Sequence, residues 1–265
     1  MDTLDIPPLR MTLLYLLGFL PWLLLRLNGL RLSRDILVAL LRMSLQLAFV
    51  GIYLKVLFDL NNPWLNGLWI SVMLFVADFS ILQRAGLQPR HLFTATLTAV
   101  AGGILFATAY LVIVVIQPAL YYDARYLVPL AGMILGNCLQ SNVIALERFY
   151  AALRKNENEY VTYLLLGATR EEAVRPYFLE AVRAALNPSI ASMATMGLVS
   201  LPGMMTGQIL GGSEPWLAVK YQIAIMICIF TGTTLACLLN LKLSQRQAFN
   251  TLDILKEEIF MPPRR

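Results

Sequence analysis

Apolar residues run along this chain in long blocks, separated by short stretches that gather charge and turn residues. A hydrocarbon core about 30 Å thick needs about 20 consecutive apolar residues in a helix. On that measure the blocks predict spans at 11–25, 36–57, 64–82, 92–116, 127–146, 188–212 and 216–241. The first is short and contains Pro21. The expected fold class is an all-α polytopic membrane helix bundle of about seven transmembrane helices, one domain over 1–265, with a cytoplasmic segment of short helices at 147–187.

The sixth block is poor helix material. In Gly197-Leu-Val-Ser-Leu-Pro-Gly-Met-Met-Thr-Gly-Gln-Ile-Leu-Gly211, Pro202 has no N–H and leaves the carbonyl of Leu198 without a helical partner. Freed backbone groups at membrane depth require protein or a water-filled cavity around them. Gly203, Gly207 and Gly211 fall four apart, a small-residue ridge suited to close helix packing. Ser200, Met204, Met205 and Gln208 add polar and polarizable groups. Two readings stand: a tightly packed kinked helix, or a gate in a substrate path.

Charge fixes the expected orientation. Charged residues make up 14% of the chain, against about 25% in soluble domains. Of the 21 Lys and Arg residues, sixteen fall in the loops after the first, third and fifth spans and in the tail. Arg10, Lys55, Arg125 and Lys220 fall on the other side. The positive-inside rule then predicts an outside N-terminus and a cytoplasmic C-terminus. The basic residues are spread among loops, which argues against a nucleic-acid partner. Cys138, Cys228 and Cys237 all lie within apolar runs and read as buried thiols.

The interval 147–187 predicts short capped helices. Its first part continues the fifth span. Tyr160–Gly167 is apolar and ends at a glycine suited to a helix C-terminus. Thr169 and Glu172 have capping-box spacing. Pro176 predicts a break, and Asn187-Pro188 predicts the start of the sixth span. Such a segment either lies on the lipid surface or docks a cytoplasmic partner.

Polar residues inside the spans are few. Arg42 and Asp78 sit at similar depth, and a charge there is costly alone, so an ion pair between them is expected. Gln46 is one turn from Arg42. Asn137, Gln140 and Ser141 form an i, i+3, i+4 stripe, which serves either interhelical hydrogen bonding or a substrate path. Ala95, Ala99, Gly103 and Ala107 form a second small-residue ridge, expected to be packing. No triad, Walker motif or Gly-rich phosphate loop occurs, and His91 is the only histidine.

Several strings together resemble the FetB-type permease family: Leu130-Ala-Gly-Met-Ile-Leu-Gly-Asn137, Leu166-Gly-Ala168, Ala184-Ala-Leu-Asn-Pro188, Gly197–Gly207, Arg42-Met-Ser-Leu-Gln-Leu47 and Lys220-Tyr-Gln-Ile223. The resemblance covers about Asp35 to Asn240; Cys138-Leu-Gln-Ser141 is not a recognised feature of it. That family comprises membrane subunits of bacterial ABC transporters described as iron exporters, with plant relatives linked to aluminium tolerance. The resemblance implies a homodimeric inner-membrane permease that joins two copies of a separate ATPase. ATP and Mg would be bound by that partner, with no cofactor in this chain. It also implies that Leu164, Leu165, Leu166, Gly167, Ala168, Thr169 and Glu172 form the coupling element. The metal ligands stay open: iron favours carboxylate and imidazole, whereas Met193, Met196, Met204, Met205 and Cys138 suit a softer ion, a chelate or an organic solute. A membrane-embedded enzyme is the alternative from another class.

Overall fold

Proline opens four of the long helices. Pro8, Pro63, Pro89 and Pro215 each take the first helical position, where the missing N–H costs nothing and φ is already helical. The computed structural model describes residues 7–29 and 33–262. Arg31, Arg264 and Arg265, counted above among the basic residues, lie outside them. The helices are α1 (Pro8–Leu27), α2 (Ser33–Leu60), α3 (Pro63–Arg84), α4 (Pro89–Tyr110, extended by a π-helical turn Leu111–Ile116) and α5 (Ala124–Lys155). They continue with α6 (Glu157–Leu165), α7 (Arg170–Thr195), α8 (Gly203–Leu210) and α9 (Pro215–Ala248). Six of them, α1 to α5 and α9, are long and apolar enough to cross a membrane. The bundle is all-α and polytopic.

Different segments meet at the two ends of the bundle. At one end the α3–α4 turn, the C-terminus of α5 and the residues after α9 meet: Gln88 N–H donates to Ile259 O at 2.7 Å, and Arg154 pairs with Glu257 at 2.6 Å. Arg84, Arg90, Lys155, Arg170 and Arg246 mark this as the basic end. At the opposite end, Asn66 donates to the carbonyl of Tyr122 at 2.8 Å and Asn61 accepts from Ala124 N–H at 3.0 Å.

The core forms where α3, α4, α5 and α9 face one another. The α4–α9 contact is closest, and the Ala95–Ala99–Gly103–Ala107 ridge makes it: all four residues are buried. A Cβ placed on Gly103 would lie 2.6 Å from the Gly232 carbonyl oxygen and 2.8 Å from Ala236 Cβ. By contrast, α1 and α2 bury nothing across their apolar windows and form a loosely attached pair, joined by a Tyr15–Ser44 hydrogen bond of 2.7 Å.

The sixth predicted span is not a single helix. Pro176 and Pro188 both lie inside the continuous α7, so neither the break at Pro176 nor a helix start at Asn187-Pro188 occurs. Proline φ fits a helix. The lost hydrogen bonds, about 3 kcal/mol per interior proline, are offset by the buried row Val174, Tyr177, Ala181 and Ala185. The break falls later: Met196 leaves the helix at φ −64°, ψ 135°, and Pro202 caps the short α8. Arg170 starts α7 at the basic end, and Met204 and Gln208 of α8 reach Arg125 and Tyr126 at the other. Together α7 and α8 traverse the bundle as one interrupted helix.

Candidate functional site

The α6–α7 corner at the basic end is built by its termini. Gly167 has φ +95°, a left-handed conformation suited to glycine. Its N–H donates to Leu164 O and Ala168 N–H donates to Tyr163 O, both at 3.0 Å, closing α6 with a Schellman motif. Two residues on, Thr169 caps α7. Glu172 N–H donates to Thr169 Oγ1 at 3.3 Å, and Thr169 N–H and Oγ1 both donate to Glu172 Oε2 at 2.8 Å. The backbone bond, then the hydroxyl bond, holds the Glu172 carboxyl below its ordinary pKa. Leu164 and Ala168 are half-buried, while Leu165 and Leu166 are 82% and 79% exposed. This is a rigid corner carrying bare apolar side chains.

The chain after α9 fastens that corner to the bundle. Tyr160 of α6 donates to Asp253 O at 2.6 Å, and Arg170 pairs with the Asp253 carboxylate at 3.1 Å. Burial, with the Asp253 charge adding to it, raises the Tyr160 phenol to about 12. Met261 N–H donates to Gly86 O at 2.8 Å, so the same strand of chain reaches the α3–α4 turn. Sequence reading found nothing in this tail; its only local signal was the Asn250–Asp253 turn chemistry.

The interrupted helix lies open. Leu198 and Val199 are 92% and 81% exposed, Ser200 is also exposed, and no residue of α8 is buried. A Cβ on Gly203 or Gly207 would meet nothing within 4 Å, and on Gly211 only its own helix's carbonyls. The expected close packing of this ridge is therefore not made among the described residues. Beside it a cavity of about 330 Å³ is lined by Tyr126, Met133, Met204, Gln208 and Tyr221. Met205 is half-buried nearby. One turn beyond Met133, Asn137 faces outward, its side chain bonded only to Met133 O at 2.9 Å. Gln140 is exposed as well, whereas Ser141 is buried, so the predicted polar stripe splits between two faces.

Arg42 and Asp78 do not pair. Arg42 and Gln46 line an open cavity between α2 and α3 with Asp35, Ser80 and Gln83. Asp78 is fully buried on the other side of α3, and neither carboxyl oxygen has a hydrogen-bond partner. Thr96 stands beside it, but its hydroxyl donates to the Leu92 and Phe93 carbonyls. The pairing expectation used depth alone; helical phase separates the two side chains.

The buried polar contact that joins α5 to α9 escaped sequence reading. Asn240 donates to Asn142 Oδ1 at 2.8 Å, and Asn142 donates to Cys138 O at 2.8 Å. An asparagine near the end of each apolar run was the available signal. Cys138, Cys228 and Cys237 are free and buried. Among the described residues no three His, Cys, Asp or Glu side chains gather as a metal site.

A bundle of apolar helices with an interrupted helix and a capped corner at its basic end defines a polytopic α-helical membrane protein. The chain belongs to the family described as uncharacterised protein family UPF0014, whose model matches residues 8–249. It is 40% identical over 227 residues to the UPF0014 membrane protein slr1647 of Synechocystis, covering 86% of this chain and 88% of that one. It is 29% identical to the protein ALUMINUM SENSITIVE 3 of Arabidopsis thaliana, over 88% of this chain and 84% of that one. It is 28% identical to the probable iron export permease protein FetB of Escherichia coli, over 84% of each. The FetB-type resemblance is thus matched by a relative of that name. No solved structure matches.

Proposed function

We propose that this chain is the membrane-spanning permease subunit of an ABC-type exporter of the inner membrane, working as a homodimer with two copies of a separate cytoplasmic ATPase. The observation that carries the reading is the α6–α7 corner. Leu165 and Leu166 project from the closed C-terminus of a helix that Tyr160 ties to Asp253, and no described residue covers them. A nucleotide-binding partner needs such a rigid element to move the bundle. The basic end then faces the cytoplasm, with the N-terminus outside. Export of iron or another metal ion is the substrate reading that the named relative supports. The methionines, tyrosines and Gln208 of the α5–α8–α9 cavity, with no carboxylate among its lining residues, favour a chelated metal or an organic solute as the second reading. The test is co-expression with a candidate ATPase. The pair is expected to co-purify, and hydrolysis to rise when the metal is added to proteoliposomes. An ATPase that neither binds nor responds refutes the reading.

A second copy would cover the interrupted helix. Irregular backbone does not face lipid, because its unpaired N–H and C=O groups cost several kcal/mol each there. The Met196–Pro202 segment, exposed at residues 197–201, and the exposed Asn137 and Gln140 of α5 are the groups this reading assigns to a dimer axis. Gly207→Leu is expected to leave the monomer folded, since its side chain enters open space within the chain. Crosslinked dimer and transport should both fall about tenfold or more, as overpacking of about 1–3 kcal/mol implies. Unchanged dimer yield would assign this face to lipid.

A further inference from the structure

Beside the α6–α7 corner, α7 and α9 flank an open cavity of about 410 Å³. This volume falls in the range of roughly 300–1,000 Å³ typical of small-ligand sites. Arg170 and Arg175 approach it from α7, Lys242 and Arg246 from α9, and Val174 and Phe178 form an apolar wall. One acid, Glu171, shares the rim, and Arg170 is engaged by Asp253. Arg175, Lys242 and Arg246 have no ion-pair partner among the described residues.

The depth of the cavity selects its ligand. Trp216 stands in the first turn of α9, with the Lys220 ammonium 5.7 Å from its ring centre, as expected of an interfacial anchor. Lys242 lies 26 residues along the same helix. At 1.5 Å per residue that is roughly 39 Å. A bilayer with its headgroup layers measures roughly 40–45 Å, so Lys242 sits among the opposite headgroups. Arg246 follows one turn further out. A lipid there meets the apolar wall together with three cations that have no ion-pair partner among the described residues.

We propose that the α7–α9 cavity seats the phosphate of an anionic membrane lipid, held by Arg175, Lys242 and Arg246 with Arg170 at its edge. Basic pockets between helices at the cytoplasmic side of a membrane protein recognise such headgroups by charge. The site touches the first turns of α7, so an occupied headgroup steadies the helix that carries the coupling corner. The proposal concerns the chain alone and does not depend on the ATPase reading.

The test uses the full chain in phosphatidylcholine nanodiscs containing a minor fraction of phosphatidylglycerol, with retained lipid counted by native mass spectrometry. Phosphatidylglycerol is expected to be enriched on the protein. The triple variant Arg175→Gln, Lys242→Gln, Arg246→Gln should lower that enrichment roughly tenfold or more. Arg246→Gln alone, one exposed side chain, should lower it partially. A control triple at the same end, Arg84→Gln, Arg90→Gln, Lys155→Gln, removes equal charge and should leave most of it. Equal loss in both triples would mean diffuse surface attraction and overturn the site. Unchanged enrichment in the cavity triple would overturn it too. If millimolar inorganic phosphate displaces phosphatidylglycerol from the protein, the ligand is a soluble phosphate and the lipid assignment falls.

Discussion

Gly103→Ala is expected to lower the thermal midpoint of the detergent-solubilised protein sharply, although alanine is the better helix former. Intrinsic propensity favours alanine over glycine by about 1 kcal/mol. At Gly103 the new methyl would stand 2.6 Å from the Gly232 carbonyl oxygen and 2.8 Å from the Ala236 backbone nitrogen. Both are backbone atoms of the facing helix and cannot rotate away. The α4–α9 pair must separate, and the contact runs through the centre of the core. Overpacking of this kind costs about 3 kcal/mol or more where nothing yields, which outweighs the propensity gain and leaves a net loss near 2 kcal/mol. Gly102→Ala provides the internal control. Its methyl would meet only Leu239 Cδ1 at 3.8 Å, an ordinary contact, so propensity should prevail and the midpoint should hold or rise. Equal behaviour of the two variants, read by thermal unfolding and by monodispersity, would show that the helices do not approach as closely as described.

That contact also shows what the sequence carried. Alanine and glycine at four-residue spacing in 95–107 predicted a helix face packed without large side chains, and α9 is the helix that uses it. Six of the seven predicted blocks coincide with helices long and apolar enough to cross a membrane, because length and composition decide them. Termini were legible wherever local chemistry decides them: Gly167 and the Thr169–Glu172 box stand as their residue types require. Phase and partners were harder. Arg42 and Asp78 share a depth but not a side of the bundle, and span depth carries no azimuth. Pro176 and Pro188 are local helix breakers overruled by tertiary packing along α7. The tail after α9 has no periodicity to read, because its contacts to Gly86, Tyr160 and Arg170 are all distant in sequence. The helix interruption at Pro202 follows from its missing N–H, but the close packing expected of the neighbouring glycines is not made by the described residues.

On the proposed reading, Gly167→Val is expected to weaken ATPase coupling strongly while leaving the bundle intact. The reason lies in the backbone, since a Cβ on Gly167 would meet nothing within 4 Å. At φ +95° a β-branched residue is strained by about 1–3 kcal/mol. The chain can relieve that strain by returning φ to negative values, which breaks the Ala168-to-Tyr163 and Gly167-to-Leu164 bonds that end α6. Leu165 and Leu166 would then point elsewhere relative to the Thr169 cap. Tyr160, Ala173 and Val174 are held in the core on either side of this corner and the tail contacts through Tyr160 and Asp253 remain, so insertion and dimer yield should match the wild type. Pull-down of the ATPase and stimulated hydrolysis should both fall at least tenfold, the equivalent of about 1.4 kcal/mol. Gly167→Asn separates strain from side-chain bulk: asparagine enters the left-handed region far more readily than valine, so it should restore most of the binding. Failure of both variants to bind would point to contact at Gly167 itself, a surface with no room for a side chain. Wild-type binding and transport by Gly167→Val would remove the corner from the coupling path and leave α6 as a helix lying on the membrane surface.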